Sequence, residues 1–556
     1  MTASKTDVAR FETTRRLLSH LVNEGLCSAV LEPAETEDKR WLCMSPANAD
    51  FVLSSVVKVQ CTIAASSDAA RVTALVRPHQ LRPPVLLQEG DKQPRSELDP
   101  GAIFQFVFPW FGEPELESMR DPIALELQNA AANQETWLDI GAQLPPLDLF
   151  SPAIEWEKTL VTGHPTHPVT STSPDMPRPN LGHGISRNHL PLRSQVRTSG
   201  PFEELLDELL AKLDIPGSTP GRVIVPSLAQ QRPSILSRFS DVQVVVSDRA
   251  SAQASMRTVN LRPELKFKYH LKLSLACQIT SALRTITPWT ALGGAEVSGL
   301  LEKLLPPDMW VFKEVAAATG AQTEFNDAKH LSCILREDLE LRANQQNESL
   351  IIASALSQLP VSETGNWKAQ AQSLLPMEGK KDWFKRYTSC LLKLTLTPLV
   401  NHGIGLEAHG QNICVRICRK TKDIKGFAIR DFGGIRLHMP TLRSQGYDIH
   451  TIPPGAATMT DDLHDVWSKV HHSLFQNHFG HLIVALDLEE NGGWEIVRNA
   501  VKAILHPLDG ASSPRATQLS EYLLAETMPF KCFLRMRMEG KYRDYVERRL
   551  PNAILY

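Results

Sequence analysis

Glu407, His409 and Gln411 occupy alternate positions in the run Gly405-Leu406-Glu407-Ala408-His409-Gly410-Gln411-Asn412. Read as a strand, the run puts the acid, the imidazole and the amide on one face. Leu406, Ala408 and Gly410 then face the other way, small enough to let a neighbouring backbone approach. Such a polar triplet is costly to bury unless it meets a charged ligand, although a solvent-facing antiparallel strand alternates in the same way. A polar turn over Thr421–Gly426 and a second strand from Phe427 lead to Arg430-Asp431-Phe432-Gly433-Gly434. Glu407 and Asp431 are hard oxygen donors of the kind that magnesium–nucleotide sites use.

Two further blocks hold cations and imidazoles. Ser255-Met256-Arg257-Thr258, Lys272-Leu273-Ser274 and Thr280-Ser281-Ala282-Leu283-Arg284-Thr285 interleave cations with hydroxyls. Arginine offers a bidentate fork and lysine a point charge, which suits polyphosphate and carboxylate oxygens. Solvated cations on amphipathic elements would read the same. Gly163-His164-Pro165-Thr166-His167-Pro168 holds two histidines in an extended loop, because each proline disfavours helix in the residue before it. The pair suits hydrogen bonding to an anionic substrate or metal ligation, with the third or fourth ligand of a zinc centre missing at fixed spacing.

The elements that must position these residues form a mixed α/β chain. A helical period runs from about 7 to 26, followed by strand-like runs at 28–31, 51–63 and 73–76. Residues 174–199 lack an apolar period and read as a loop or lid. A helix is expected over 201–213, strands near 222–225 and 242–246, and mostly helix from 290 to 395. Boundaries near 155 and 395 divide the chain into 1–155, 156–395 and 396–556. A length of 556 residues exceeds one hydrophobic core.

Composition narrows the function classes. Lys plus Arg total 59 against 62 Asp plus Glu, so no basic excess points to nucleic acid or an anionic membrane. The nine cysteines form no C-x-x-C pair, and the opening residues carry no apolar signal segment. The expected setting is cytoplasmic. His464, His471, His472, His478 and His481 fall close together and read as a solvated helix face, with a metal cluster as the alternative.

Together these motifs resemble the siderophore synthetases that act independently of nonribosomal peptide synthetases, the aerobactin-synthetase-like family. Its G-H-P-x-H-P loop, S-x-R-T, K-L-S…T-S-x-x-R-T, E-x-H-x-Q-N and R-D-x-x-G segments occur here in order, at 163–168, 255–258, 272–285, 407–412 and 430–434. The tail from Lys531 to Arg537 is similar to the family's closing K-x-x-x-x-M-R. The resemblance implies a cupped-hand architecture of thumb, fingers and palm with a kinase-like palm hairpin. It implies ATP and Mg2+, a citrate-like polycarboxylate that is adenylated, and an amine or alcohol that receives the acyl group to give amide or ester. Homodimers are common in such families, and neither nucleic acid nor membrane is an implied partner.

Carried over residue by residue, Arg284 and His409 would stabilise the α-phosphate and the reacting carboxylate. Lys272, Ser255, Arg257 and Thr258 would hold phosphates; Glu407, Gln411, Asn412 and Asp431 would position the metal. His164, His167 and Thr280 would contact the polycarboxylate. The family's Lys-x-Arg after the second His-Pro is absent, since the chain reads Val169-Thr170-Ser171-Thr172-Ser173-Pro174. An unusual acid, or compensation by Arg178 or Arg187, would follow. A kinase-like phosphotransferase lacks its glycine-rich and H-R-D motifs here. A catalytically silent nucleotide-binding homologue is the other alternative.

Overall fold

The computed structural model describes residues 4–33, 40–47, 55–63, 72, 75–160, 183–190, 192–215, 217, 220–240, 242–244, 247–279, 282–358, 379–507, 513–541 and 546–556. Three hydrophobic cores organise them. In the first, a five-stranded antiparallel sheet (Ser28–Pro33, Arg40–Ser45, Ser55–Cys61, Leu81–Glu89 and Arg95–Ser96) is covered by helices Lys5–Asn23, Pro100–Val107 and Arg120–Gly141. Helix Lys5–Asn23 starts where Ser4 accepts from the Asp7 N–H, and it buries Leu17, Leu18 and Leu21 against the sheet. Leu534 and Met538 from the far end of the chain complete this core.

The second core lies on a nine-stranded sheet that includes Thr258–Asn260, Tyr269–Leu273, Glu314–Gly320 and Ser332–Glu337. The third and largest surrounds a four-stranded sheet built from Met309–Val311, Ile424–Ile429, Ile413–Cys418 and Glu348–Ile352, backed by helices Lys380–His402 and Gly493–Leu505. No described helix is long and apolar enough to cross a membrane.

The strand expected near residue 28 and the helix expected over 201–213 form, as Ser28–Pro33 and Phe202–Ala211. Other expectations change. Among the described residues of 290–395, a long helix stands at each end (Pro288–Leu304 and Lys380–His402), and between them four strands the sequence did not indicate alternate with three short helices (Phe325–Ala328, Glu340–Gln345 and Ala353–Leu356). Those strands are buried on both faces, so their apolar runs carry no alternation to distinguish them from helix. Residues 174–199 include two strands, His183–Leu190 and Val196–Ser199, which the nine-stranded sheet recruits despite their polar composition.

Buried ion pairs tie the cores together. Arg430, 4% exposed in its side chain, forks onto Glu157, 6% exposed, with one contact of 3.0 Å. Glu157 also accepts from the Ala254 N–H at 2.8 Å, and Arg430 reaches Gln253 at 3.0 Å and the Gln411 carbonyl at 2.9 Å. One guanidinium therefore joins the segment before the second sheet, the second sheet itself and the loop that carries His409. Elsewhere Glu24 accepts from the Leu534 and Arg535 N–H groups at 2.9 and 2.7 Å, tying the first helix to the C-terminal segment.

Removing one partner of a buried pair leaves an uncompensated charge, at roughly 3–5 kcal/mol. Glu157→Gln is expected to lower the urea midpoint accordingly. Glu157→Leu with Arg430→Met is expected to recover much of the loss; equal loss in both would show that the charge itself is not what matters.

Candidate active site

The segments that carry the second-sheet cations are bonded to one another. Thr258 and Lys272 are cross-strand partners, and the Leu273 N–H donates to the Arg257 carbonyl at 2.8 Å. Arg257 donates to the carbonyls of Arg284 and Thr285, both at 3.0 Å, so its guanidinium pins the segment that carries Arg284. Ser255 accepts from the Thr258 N–H at 3.3 Å, closing the turn in which Met256 adopts φ 64°.

Lys272 is the link to the third core. Its side chain is 1% exposed, and its ammonium lies 2.7 Å from Glu314 Oε1 and 2.9 Å from Asp431 Oδ1. Asp431 has φ 64°, a left-handed conformation that aspartate tolerates at a strain imposed by its surroundings. Burial opposes ionisation of Asp431, but Lys272 and Arg257 outweigh it and hold its carboxyl far below the ordinary range.

The Glu407 loop comes from the same core. Only Ile404–Gly405 is strand; residues 406–409 are irregular, and a turn over 410–412 leads into Ile413–Cys418. The expected strand over 405–412 is therefore replaced by a folded loop. Local side-chain bonds capture the backbone: His409 Nδ1 accepts from the Gln411 N–H at 3.2 Å, and Asn412 donates to the Glu407 carbonyl at 3.2 Å. The alternation survives in burial, with Leu406 and Ala408 each 1% exposed and Glu407, His409 and Gln411 partly open.

Glu407 pairs with Lys469. Burial works against its charge, and Lys469 together with His409 overcome that and lower its pKa. A Cβ at Gly434 would overlap the Glu407 carboxylate, so the second glycine after Asp431 makes room for it. His409 is pushed towards its neutral form by burial, against the pull of Glu407. With Nδ1 accepting, the neutral ring carries its proton on Nε2 and can donate to a phosphate or carboxylate oxygen.

His478 supports this loop from behind. Its Nδ1–H donates to the Ala408 carbonyl at 3.0 Å, and its Nε2 accepts from the Tyr387 hydroxyl at 2.8 Å. The expected solvated helix face of histidines does not form: His471–Phe479 is a π-helix, whose wider turn changes which residues share a face. His471 and His478 are buried and do not form a solvated stripe. Among the described residues, no three His, Cys, Asp or Glu side chains group to hold a metal.

Of the residues singled out in the sequence, Ser255, Arg257, Thr258, Lys272, Arg284, Glu407, His409, Gln411, Asn412 and Asp431 all lie within this connected set. His164, His167 and Thr280, with Arg178, lie outside the described residues, and of Arg187 only the backbone is described. Sequence reasoning missed Glu314 and Lys469, and it read His478 as part of a solvated helix face where the structure buries it behind the loop. Glu314 carries one signal, an acid opening the apolar run Glu314–Gly320; Lys469 carries none.

Comparison with known proteins meets the same motifs. Residues 239–358 match the IucA / IucC family, and residues 381–546 match the ferric iron reductase FhuF-like transporter family. The NRPS-independent siderophore synthetase-like protein ankE of Aspergillus thermomutatus is 44% identical over 98% of this chain and 95% of its own. The chain belongs to the NRPS-independent siderophore synthetases. A second member of the family, the synthetase rfs of Rhizopus delemar, is 32% identical over 79% of this chain and 72% of its own. ATP-bound aerobactin synthetase IucA from Klebsiella pneumoniae shares the fold of this synthetase, with a TM-score of 0.74 at 14% identity over 98% of this chain and 99% of its own.

Two outcomes are expected of the synthetase. Asp431→Asn removes a carboxylate that Lys272 and Arg257 hold ionised, so the melting temperature should fall, while turnover measured where the variant is still folded drops about 100-fold or more. His330, His471, His478 and His481 are pushed by burial from 6.5 down to about 4. Unfolding therefore takes up protons below the unfolded value, and stability present above pH 6.5 is lost as pH falls towards 4. Urea midpoints measured across that range should decline, with a shallower slope for His478→Gln.

Proposed function

We propose that this synthetase activates a citrate-like polycarboxylate with ATP as an acyl-adenylate and transfers the acyl group to an amine or alcohol. The observation that carries the reading is the convergence of Lys272, Arg257 and Asp431 from two separate cores beside the loop of Glu407 and His409.

In the first step a substrate carboxylate oxygen attacks the α-phosphorus and pyrophosphate leaves. Negative charge develops on the α-phosphate oxygens, and groups already fixed in place stabilise it without reorganising. Arg284 supplies charge from the segment pinned by Arg257, and His409 donates from Nε2. Ser255, Arg257, Thr258 and Lys272 hold the remaining phosphate oxygens. In the second step the acceptor attacks the acyl carbon and AMP departs.

Magnesium fits the donor set. Glu407 and Asp431 are ionised hard ligands within electrostatic reach of each other, Gly434 leaves space at Glu407, and Gln411 and Asn412 add amide oxygens. When bound, the ion would neutralise phosphate charge. Lys469 and Lys272 would then compete with it for the two carboxylates. We further propose a thumb of residues 1–155, fingers of 156–395 and a palm of 396–556 in a cupped hand. The kinase-like palm hairpin is Ile413–Cys418 with Ile424–Ile429, and its sheet borrows Met309–Val311 and Glu348–Ile352.

The test is pyrophosphate release from MgATP with citrate, succinate or 2-oxoglutarate, and hydroxylamine as nucleophile. Acid-dependent pyrophosphate and hydroxamate are expected, falling about 100-fold or more in Arg284→Ala and His409→Ala. Formation of ADP in place of AMP and pyrophosphate would overturn the reading.

A further inference from the structure

Gly293 and Gly294 stand side by side inside helix Pro288–Leu304, where each weakens the helix relative to alanine. Close approach from two sides explains them. A Cβ on Gly293 would overlap Ile452 of the third core, and one on Gly294 would overlap Glu314 Oε2 of the nine-stranded sheet. One turn further along, Ser298 Oγ accepts from the Glu314 N–H at 2.9 Å and donates to the Gly294 carbonyl at 2.6 Å. At the start of the helix, a Cβ on Gly433 would lie 3.2 Å from Thr290 Cγ2, so the first turn abuts the segment just past Asp431. One helix therefore packs against the segments of both acids that hold Lys272.

The Glu314 carboxylate serves Lys272 alone. Among the described residues its one hydrogen-bond partner is the Lys272 ammonium, 2.7 Å from Oε1, while Oε2 is buried with none. A half-satisfied buried carboxylate is unfavourable for the fold, so its presence calls for a role at the site.

The two acids on Lys272 differ in freedom. Glu314 is 1% exposed, on an interior strand clamped by the helix; Asp431 is 25% exposed, in a turn at φ 64°. The Lys272 side chain is itself almost wholly covered, so a phosphate oxygen reaches the ammonium only after one carboxylate withdraws. Asp431 lies on the open side and has Arg257 3.9 Å away as a second counter-charge. It is the one that can turn aside.

We propose that Glu314 is the positioning residue of the phosphate site, the anchor on which the Lys272 ammonium pivots as a phosphate oxygen of ATP takes the place of Asp431. The inference rests on the nucleotide part of the ligase reading above. No covalent bond changes in this exchange: one N–H of Lys272 gives up a carboxylate oxygen and takes a phosphate oxygen. Asp431 keeps Arg257, and Lys272 keeps Glu314, so neither charge is left alone. Gly294 leaves the room that the Glu314 carboxylate needs, and Ser298 fixes its backbone.

The test is the dissociation constant of MgATP, measured by calorimetry with no acid present, in the wild type, Glu314→Gln, Lys272→Met and the double variant. Glu314→Gln is expected to weaken ATP about tenfold, the worth of one charge-assisted hydrogen bond. In the Lys272→Met background the same substitution should change affinity by less than about twofold, because Glu314 acts through Lys272. Calorimetry returns the number of sites apart from the affinity, so a loss of folded protein lowers the first and not the second. Gly294→Ala favours the helix while crowding the Glu314 carboxylate, and it should weaken ATP in the same direction. In the hydroxamate assay the loss in Glu314→Gln should enter through the KM for ATP and not through kcat.

Wild-type affinity in Glu314→Gln overturns the inference, and so does an equal further loss in the Lys272→Met background. If Lys272→Met does not fold, wild-type affinity in Gly294→Ala overturns it. A wild-type protein that binds no ATP sinks this inference and the ligase reading together. ATP binding that depends on Glu314, with no hydroxamate formed, sinks the ligase reading alone.

Discussion

A lysine ammonium held between two carboxylates, Lys272 between Glu314 and Asp431, is the contact on which the site depends. Lys272 and Glu314 belong to the nine-stranded sheet, while Asp431 closes a strand of the four-stranded one. Desolvating three charges is unfavourable unless their geometry is good, so the arrangement holds only when both sheets are in register with each other. It also keeps Asp431 ionised in a strained conformation next to phosphate-type donors. The same contact thus joins two parts of the molecule and charges the site between them.

Arg430 does the equivalent on the opposite side of the loop. Its fork onto Glu157 and its bond to the Gln411 carbonyl hold the loop from the strand side, while His478 holds Ala408 from the helix side. His409 therefore owes its position to the side chains that hold its loop, and its tautomer to the Gln411 N–H. Rigid support of this kind is what electrostatic stabilisation of a charged transition state requires. The π-helix has a role here: an ordinary α-helical turn would present different residues to Ala408.

The site residues were legible because their chemistry is unusual for their setting. Acid, imidazole and amide on alternate positions, and cations interleaved with hydroxyls, stand out from an apolar background. The conformation of the Glu407 loop was not legible, because alternation in burial is shared by a strand and by this loop. The strands between 309 and 352 were hidden for the opposite reason: burial on both faces erased their alternation.

Residue types and spacing by themselves carried the chemical reading: hard oxygens of the kind that suit a metal, cations of the kind that suit phosphate, and an imidazole beside them. Chain-local information also placed the first helix and the helix over 202–211, where one apolar stripe decides. Only the tertiary structure decided which charges meet. Glu314 with Lys272, Lys469 with Glu407 and Glu157 with Arg430 are separated by 42, 62 and 273 residues. The energy of each pair depends on distance and on how much water is excluded. Both quantities exist only once the cores have packed.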